Sequence, residues 1–223
     1  MQKTHVIIVA GGSGTRMGAE VPKQFLQFAG KPILLHTIEK FYAANPAYNL
    51  ILVLPEAHFG IWKEIITQFN CTIPHQLVKG GDTRFHSVKN GLELVHEGIV
   101  AVHDGVRPLV TSKTILNTLS DAEKYGAAIP VIESTDSIRM LSDNSSFPLV
   151  RSMLRNVQTP QCFEASILKK AMLQDFIPEF TDCASVVQKA GFPIFLSEGN
   201  TENIKITTPL DLKIAEFIQT QLE

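Results

Sequence analysis

Four short apolar runs punctuate the chain, at residues 6–10 (VIIVA), 50–54 (LILVL), 99–103 (IVAVH) and 127–132 (AAIPVI). Runs of this length without polar alternation predict strands buried on both faces. The stretches between them switch to helical spacing. Leu34, Ile38, Phe41 and Tyr42 fall on one stripe, and Ile61, Trp62, Ile65, Ile66 and Phe69 on another. Strands alternating with amphipathic helices predict an α/β fold, a Rossmann-like and mostly parallel sheet flanked by helices. A last helix is marked by Thr208 as cap, Pro209 in the first turn and Asp211 three past the cap, with Ile214, Phe217 and Ile218 expected to face inward.

The alternation breaks between about residues 133 and 158. Ser134-Thr135-Asp136-Ser137-Ile138-Arg139, Asp143-Asn144-Ser145-Ser146 and Val150-Arg151-Ser152 read as short extended pieces joined by polar turns. The expectation is a protruding β-arm used for dimerisation, because an isolated hairpin is marginal in water and Ile138, Met140, Leu141 and Leu149 need cover. The whole chain, 1–223, reads as a single domain with this arm within it.

With 223 residues and 44% hydrophobic content, one α/β core is well within reach. A net charge of −2 without cationic runs excludes sequence-independent nucleic-acid binding. No apolar run approaches membrane-spanning length, and the N-terminus leads almost directly into the first strand with no room for a leader. Cys71, Cys162 and Cys183 are odd in number and widely spaced, which suggests neither a disulfide framework nor a zinc site. A cytoplasmic protein is expected.

Candidate chemistry enters at the end of the first strand. Gly11, Gly12, Ser13, Gly14 and Thr15 form a glycine-rich turn whose backbone can approach a phosphate chain, and Arg16 and Lys23 flank it with fixed charge. The turn is not a Walker loop, since Gly18 is followed by Ala19 and Glu20. Nor does it carry the dinucleotide fingerprint, because Met17 stands where the third glycine belongs. Two further loops fall at strand ends: Gly80-Gly81-Asp82-Thr83-Arg84-Phe85-His86-Ser87, and His103-Asp104-Gly105-Val106-Arg107-Pro108. Asp104 could serve as a magnesium anchor or a hydroxyl acceptor, or simply cap a turn. His103, with no second histidine at ligand spacing, reads as a packing or hydrogen-bonding residue.

These segments, together with Pro22-Lys23-Gln24, Thr159-Pro160-Gln161, Thr181-Asp182-Cys183-Ala184-Ser185 and Asn203-Ile204-Lys205, resemble the 2-C-methyl-D-erythritol 4-phosphate cytidylyltransferase family. Six separated motifs recur in order along nearly the whole chain. The resemblance implies cytidylyl transfer from CTP to a sugar-alcohol phosphate with release of pyrophosphate, in isoprenoid-precursor synthesis, with magnesium or another divalent cation. It implies that Gly11, Gly12, Ser13, Gly14, Thr15, Gly81, Asp82, Ser87 and Asp104 meet CTP. Arg16 and Lys23 would stabilise the reacting phosphates, and Asp104, Ser137, Arg151, Thr181 and Lys205 would hold the acceptor. It also implies that 1–223 is a single nucleotidyltransferase domain, and that it forms a homodimer in which Arg151 acts across the interface. Two positions depart from the family pattern: Asp136-Ser137 stands where Asp-Thr is common, and Arg155 where an aromatic is. The alternatives are a ribitol-5-phosphate cytidylyltransferase, which shares several of these motifs, and a non-catalytic CTP-binding module.

Overall fold

The computed structural model describes residues 3–12, 21–143 and 145–222. The chain forms strands β1 (Thr4–Val9), β2 (Gln27–Phe28), β3 (Lys31–Pro32), β4 (Asn49–Leu54), β5 (His75–Lys79), β6 (Ile99–Asp104), β7 (Ala127–Glu133), β8 (Arg139–Ser142), β9 (Ser145–Pro148), β10 (Arg155–Val157), β11 (Gln161–Glu164) and β12 (Phe195–Glu198). The helices are α1 (Ile33–Ala44), α2 (Phe59–Gln68), α3 (Arg84–Leu92), α4 (Ser112–Tyr125), α5 (Ala165–Ala171), α6 (Cys183–Lys189) and α7 (Pro209–Leu222).

All four apolar runs are strands of one sheet, each within two residues of its expected bounds. β1 lies parallel between β4 and β6, and β5 continues the parallel order beyond β4. The period-two pleat splits the apolar runs between two cores. Val6 and Ile8 of β1 with Leu50, Leu52 and Leu54 of β4 join α1, α2 and α4 on one face. Ile7, Ile51 and Val53 join α3, α5 and α6 on the other.

β10 and β11 run antiparallel along the same edge of β7, their registers offset by two residues, so Gln158–Pro160 forms a bulge between them. β11 then pairs with β6 on its far side, and β12 lies parallel to β7. The sheet is therefore mixed but mostly parallel. No strand over 155–164 was expected, and its presence shortens the arm to residues 134–154, since β10 belongs to the main sheet. Within that arm β8 and β9 pair as a hairpin of their own.

Two helix faces differ from expectation. Ile61 of α2 is exposed, while Trp62 and Ile65 are buried. In α7 the cap is as read, with Thr208 Oγ1 accepting from the Asp211 amide at 3.2 Å and the Asp211 carboxylate accepting from the Thr208 amide at 2.8 Å. The inward stripe, however, is Leu212, Ala215 and Ile218, packed on Phe28, Ile33 and Ile206. Ile214 and Phe217 point outward. No helix among the described residues is long and apolar enough to cross a membrane.

The topology fixes where a ligand can sit. From β1 the chain steps to β4 and β5 on one side, then crosses back to β6 on the other. The carboxyl ends of β1 and β6 thus diverge in their connections and leave a crevice there, the usual binding position in open α/β sheets.

Candidate active site

A cavity of about 490 Å³ opens at that crevice, walled by Ala10, Gly11 and Gly12 after β1, Lys23 and Gln24, Gly81 to Arg84 and Ser87, Asp104 and Val106, and Lys205. Segments more than 190 residues apart in sequence meet here. Ser13, Gly14, Thr15 and Arg16 lie outside the described residues.

Lys23 is set by its neighbours. It opens a single turn of 3-10 helix, Lys23–Phe25, in which Phe25 is buried against Trp62 and Gln24 donates from Nε2 to the Ala10 carbonyl at 2.9 Å. That bond ties the turn to the end of β1, and a methyl group on Gly12 would touch Lys23 Cε at 3.4 Å. The lysine therefore lies across the start of the glycine segment.

The opposite wall is built on α3. Thr83 caps the helix, accepting from the His86 amide, and the Ser87 hydroxyl accepts from the Gly81 amide at 3.1 Å. Position 81 requires glycine, since a Cβ there would overlap His86 Cβ. The loop consequently folds flat over the first turn of its own helix, with Asp82 exposed at the rim.

At the floor, Asp104 ends β6 and is 7% exposed. Arg84 Nε lies 3.4 Å from its Oδ1, while Lys205 Nζ at 3.0 Å and Arg107 Nε at 3.6 Å face its Oδ2. Burial alone would raise this carboxyl, but Arg84, Lys205 and Arg107 outweigh it and hold the group well below the usual carboxylate range. A carboxylate so placed is a poor metal anchor, because an incoming dication would meet three positive side chains. Among the described residues no three His, Cys, Asp or Glu side chains come together to hold a metal. The geometry gives Asp104 a part in fixing Arg84, Arg107 and Lys205.

Backbone geometry around Asp104 depends on His103 and Thr159. His103 Nε2 lies 3.2 Å from the Arg107 carbonyl, which can only accept, so Nε2 carries the proton. Nδ1 then accepts from the Thr159 hydroxyl at 2.9 Å, and Thr159 Oγ1 accepts from the Asp104 amide at 3.2 Å. Burial pushes the His103 ring down to about 3, so it stays neutral and serves as a structural link, as the sequence suggested. Asn203 completes the floor. Its Nδ2 donates to the Thr159 carbonyl at 2.8 Å and its own carbonyl accepts from Arg107 Nη1 at 2.7 Å, while the Ile206 amide bonds the Val106 carbonyl. Lys205 is thereby held over Asp104 from both sides in sequence.

Residues 4–221 match the family of 2-C-methyl-D-erythritol 4-phosphate cytidylyltransferase, IspD. The chain belongs to this family. A cytidylyltransferase of that name from Bacteroides thetaiotaomicron is 51% identical over 97% of this chain and 99% of its own, and one from Porphyromonas gingivalis strain W83 is 45% identical over 98% and 99%. Among solved structures, the 2-C-methyl-D-erythritol 4-phosphate cytidylyltransferase of Thermus thermophilus superposes with a TM-score of 0.79 at 29% identity, covering 99% of this chain and 100% of its own. The 4-diphosphocytidyl-2C-methyl-D-erythritol synthase of Anaerococcus prevotii gives 0.84 at 25% identity, covering 98% and 99%.

Of the residues the family resemblance singled out, Gly11, Gly12, Lys23, Gly81, Asp82, Ser87, Asp104 and Lys205 line one cavity. Ser137, Arg151 and Thr181 do not. Ser137 and Arg151 are exposed on the arm, where Arg151 Nη1 donates to the Thr135 carbonyl at 3.0 Å. Thr181 is exposed just before the Asp182 cap of α6. Sequence reasoning missed three supporting residues. Gln24 anchors Lys23, Arg107 faces Asp104, and Gln161 caps α6 by accepting from the Cys183 and Ala184 amides while donating to Asp182. All three sit inside the quoted motifs, and that position beside or near the residues singled out was the available signal.

Proposed function

We infer that this chain is a CTP-dependent cytidylyltransferase that joins CTP to 2-C-methyl-D-erythritol 4-phosphate, giving the diphosphocytidyl sugar alcohol and pyrophosphate for isoprenoid-precursor synthesis. The observation that carries the reading is the single cavity in which Lys23, Arg84 and Lys205 converge with the glycine segments at the carboxyl ends of β1, β5 and β6. An oxygen of the acceptor's phosphate attacks the α-phosphorus of CTP, and the bond to the β-phosphate oxygen breaks to release pyrophosphate. The nucleophile is already an anion at neutral pH, so no general base is required, and the cavity presents no Ser-His or Cys-His pair among the described residues. The barrier comes from aligning two anions and bearing added charge at phosphorus, which fixed cations relieve.

Lys23, with Arg16, is assigned to the α-phosphate and the departing pyrophosphate. The flat loop at Gly81 and Asp82, braced by Ser87, is assigned to cytosine, whose exocyclic amine needs a backbone carbonyl as acceptor. Asp104 and Thr181 are assigned to acceptor hydroxyls and Lys205 to the acceptor's phosphate. Magnesium is taken to arrive on the triphosphate as part of the substrate, consistent with a cation that keeps phosphate and water ligands and with the crowded surroundings of Asp104.

The working unit is proposed to be a homodimer. Met140, Leu141, Phe147, Val150 and Met153 leave a cluster of exposed apolar side chains on the arm, which a second copy would cover. The same contact would carry Arg151 and Ser137 towards the partner's cavity. The three cysteines are unpaired, which suits a reducing cytoplasm. Pyrophosphate release with CTP and methylerythritol phosphate, absent when either is omitted, tests the reading.

A further inference from the structure

Arg84 belongs by sequence to the nucleotide loop, yet its contacts run the other way. It is the first residue of α3, directly after the Thr83 cap, and it lines the cavity between Thr83 and Asp104. Its Nε points to Asp104 Oδ1 at 3.4 Å, and its Nη1 to Cys183 Sγ at 3.1 Å at the start of α6. One planar guanidinium thus joins three elements: the helix that carries the nucleotide loop, the strand end that carries Asp104, and the helix start that follows Thr181.

The two Asp104 oxygens are divided between partners. Oδ1 faces Arg84, while Oδ2 faces Lys205 and Arg107. With Oδ1 engaged, the carboxylate plane is fixed and only one oxygen is left to hold Lys205. Without Arg84 the carboxylate would be free to turn both oxygens onto Lys205, drawing that ammonium from the cavity into a tighter internal pair. The Cys183 contact matters for the same reason, since it holds the guanidinium at a second point and stops it swinging towards a bound triphosphate. Cys183 is buried, and burial raises its thiol, so the partner here is a neutral sulfur rather than a thiolate.

We propose that Arg84 is a positioning residue for the acceptor side of the reaction: by clamping Asp104 Oδ1 and the start of α6, it keeps Lys205 available to the acceptor's phosphate, although it stands on the nucleotide loop. The proposal rests on the cytidylyltransferase reading above. It differs from a nucleotide-binding role, which would change the KM for CTP, and from a bulk structural role, which would lower both substrates' parameters together.

The test is steady-state pyrophosphate release by the full-length protein, varying CTP and methylerythritol phosphate in turn, for the parent, Arg84→Met, Asp104→Asn and the double variant. The expected result is a loss of about ten-fold or more in kcat/KM for the acceptor, with the KM for CTP changed by less than about three-fold. In the Asp104→Asn background the same substitution should cost less than about three-fold, because the carboxylate it controls is gone. Equal losses for both substrates, an undiminished effect in the Asp104→Asn background, or no loss at all would overturn the proposal. Should Arg84→Met not be recovered folded, Arg84→Lys retains the charge and removes the two-point fork. An acceptor-specific loss in that variant supports the assignment, and a uniform loss or none opposes it. A parent protein without cytidylyl transfer would instead refute the underlying function.

Discussion

Lys205 Nζ lies 3.0 Å from Asp104 Oδ2, so the lysine assigned to the acceptor's phosphate is held by an internal carboxylate. The pairing sets a pH dependence. The folded-state pKa of Asp104 is depressed below the unfolded value of about 3.9, so its contribution to stability is fully present above that pH and is lost as pH falls towards the folded pKa. Asp104→Asn should therefore destabilise the protein at neutral pH, on the order of 3 kcal/mol, because the partly buried Arg84 and Arg107 lose their counter-charge, the exposed Lys205 contributing least. The gap to the parent should narrow below about pH 4. Denaturant unfolding of both proteins at pH 7 and pH 3 checks this, and a gap that widens at low pH contradicts it.

The lysine tied to β1 through Gln24 is assigned to charge that grows during the reaction. Lys23→Ala, and likewise Arg16→Ala, should lower kcat by about 100-fold or more while leaving the KM for CTP within a few-fold. Initial rates across a CTP titration separate the two parameters. A rise in KM at unchanged kcat would reassign Lys23 to ground-state binding.

Gly81 has no room for a side chain, because a Cβ would meet His86. Gly81→Ala should force the loop off the first turn of α3 and weaken CTP binding by about one to two decades, as strain of about 1–3 kcal/mol implies. Calorimetric titration with CTP measures it, with overall stability followed in parallel. Unchanged affinity would remove this loop from the nucleotide site.

Arg151 stands on the exposed arm and is absent from the walls of its own chain's cavity. If it serves the partner's site, Arg16→Ala and Arg151→Ala homodimers are each inactive, while a mixed dimer rebuilds one intact site from two damaged chains. Random mixing should then restore about a quarter of parental activity, since about half the dimers are mixed and each has one working site of two. Mixing that restores nothing would place Arg151 in its own subunit's site, and an active Arg151→Ala homodimer would place it outside the reaction.

The parts legible in the sequence share a physical reason. Strands such as 50–54 carry branched or long apolar side chains on both faces, which only a sheet covered twice will hide, so their position followed from pattern alone. Gly81 and Asp104 stood out as loop residues at strand ends and Lys205 only through the family motif Asn203-Ile204-Lys205, and the fold brings the three to one cavity. β10 and β11 were not legible. Arg155, Asn156 and Val157 are exposed and too few to show a period, and Gln161 is a polar residue buried as a helix cap. α7 shows a further limit of periodicity. Leu210, Ile214 and Phe217 form one apolar stripe and Leu212, Ala215 and Ile218 another, and helical spacing alone does not say which of them Phe28 and Ile206 will cover. Arg84 was legible only as a member of the Gly80–Ser87 loop and not as a clamp, because its partners Asp104 and Cys183 are brought to it by β6 and α6.

The central claim is that one rim of cations aligns CTP with a methylerythritol phosphate and leaves the acceptor's own phosphate oxygen to attack. Its most direct test is pyrophosphate release measured with CTP, UTP, ATP and GTP in turn, each against methylerythritol phosphate and ribitol phosphate, with magnesium present. Rapid release with CTP and methylerythritol phosphate alone is the predicted result. Equal rates with another nucleotide or with ribitol phosphate, or CTP binding without any pyrophosphate, would contradict it.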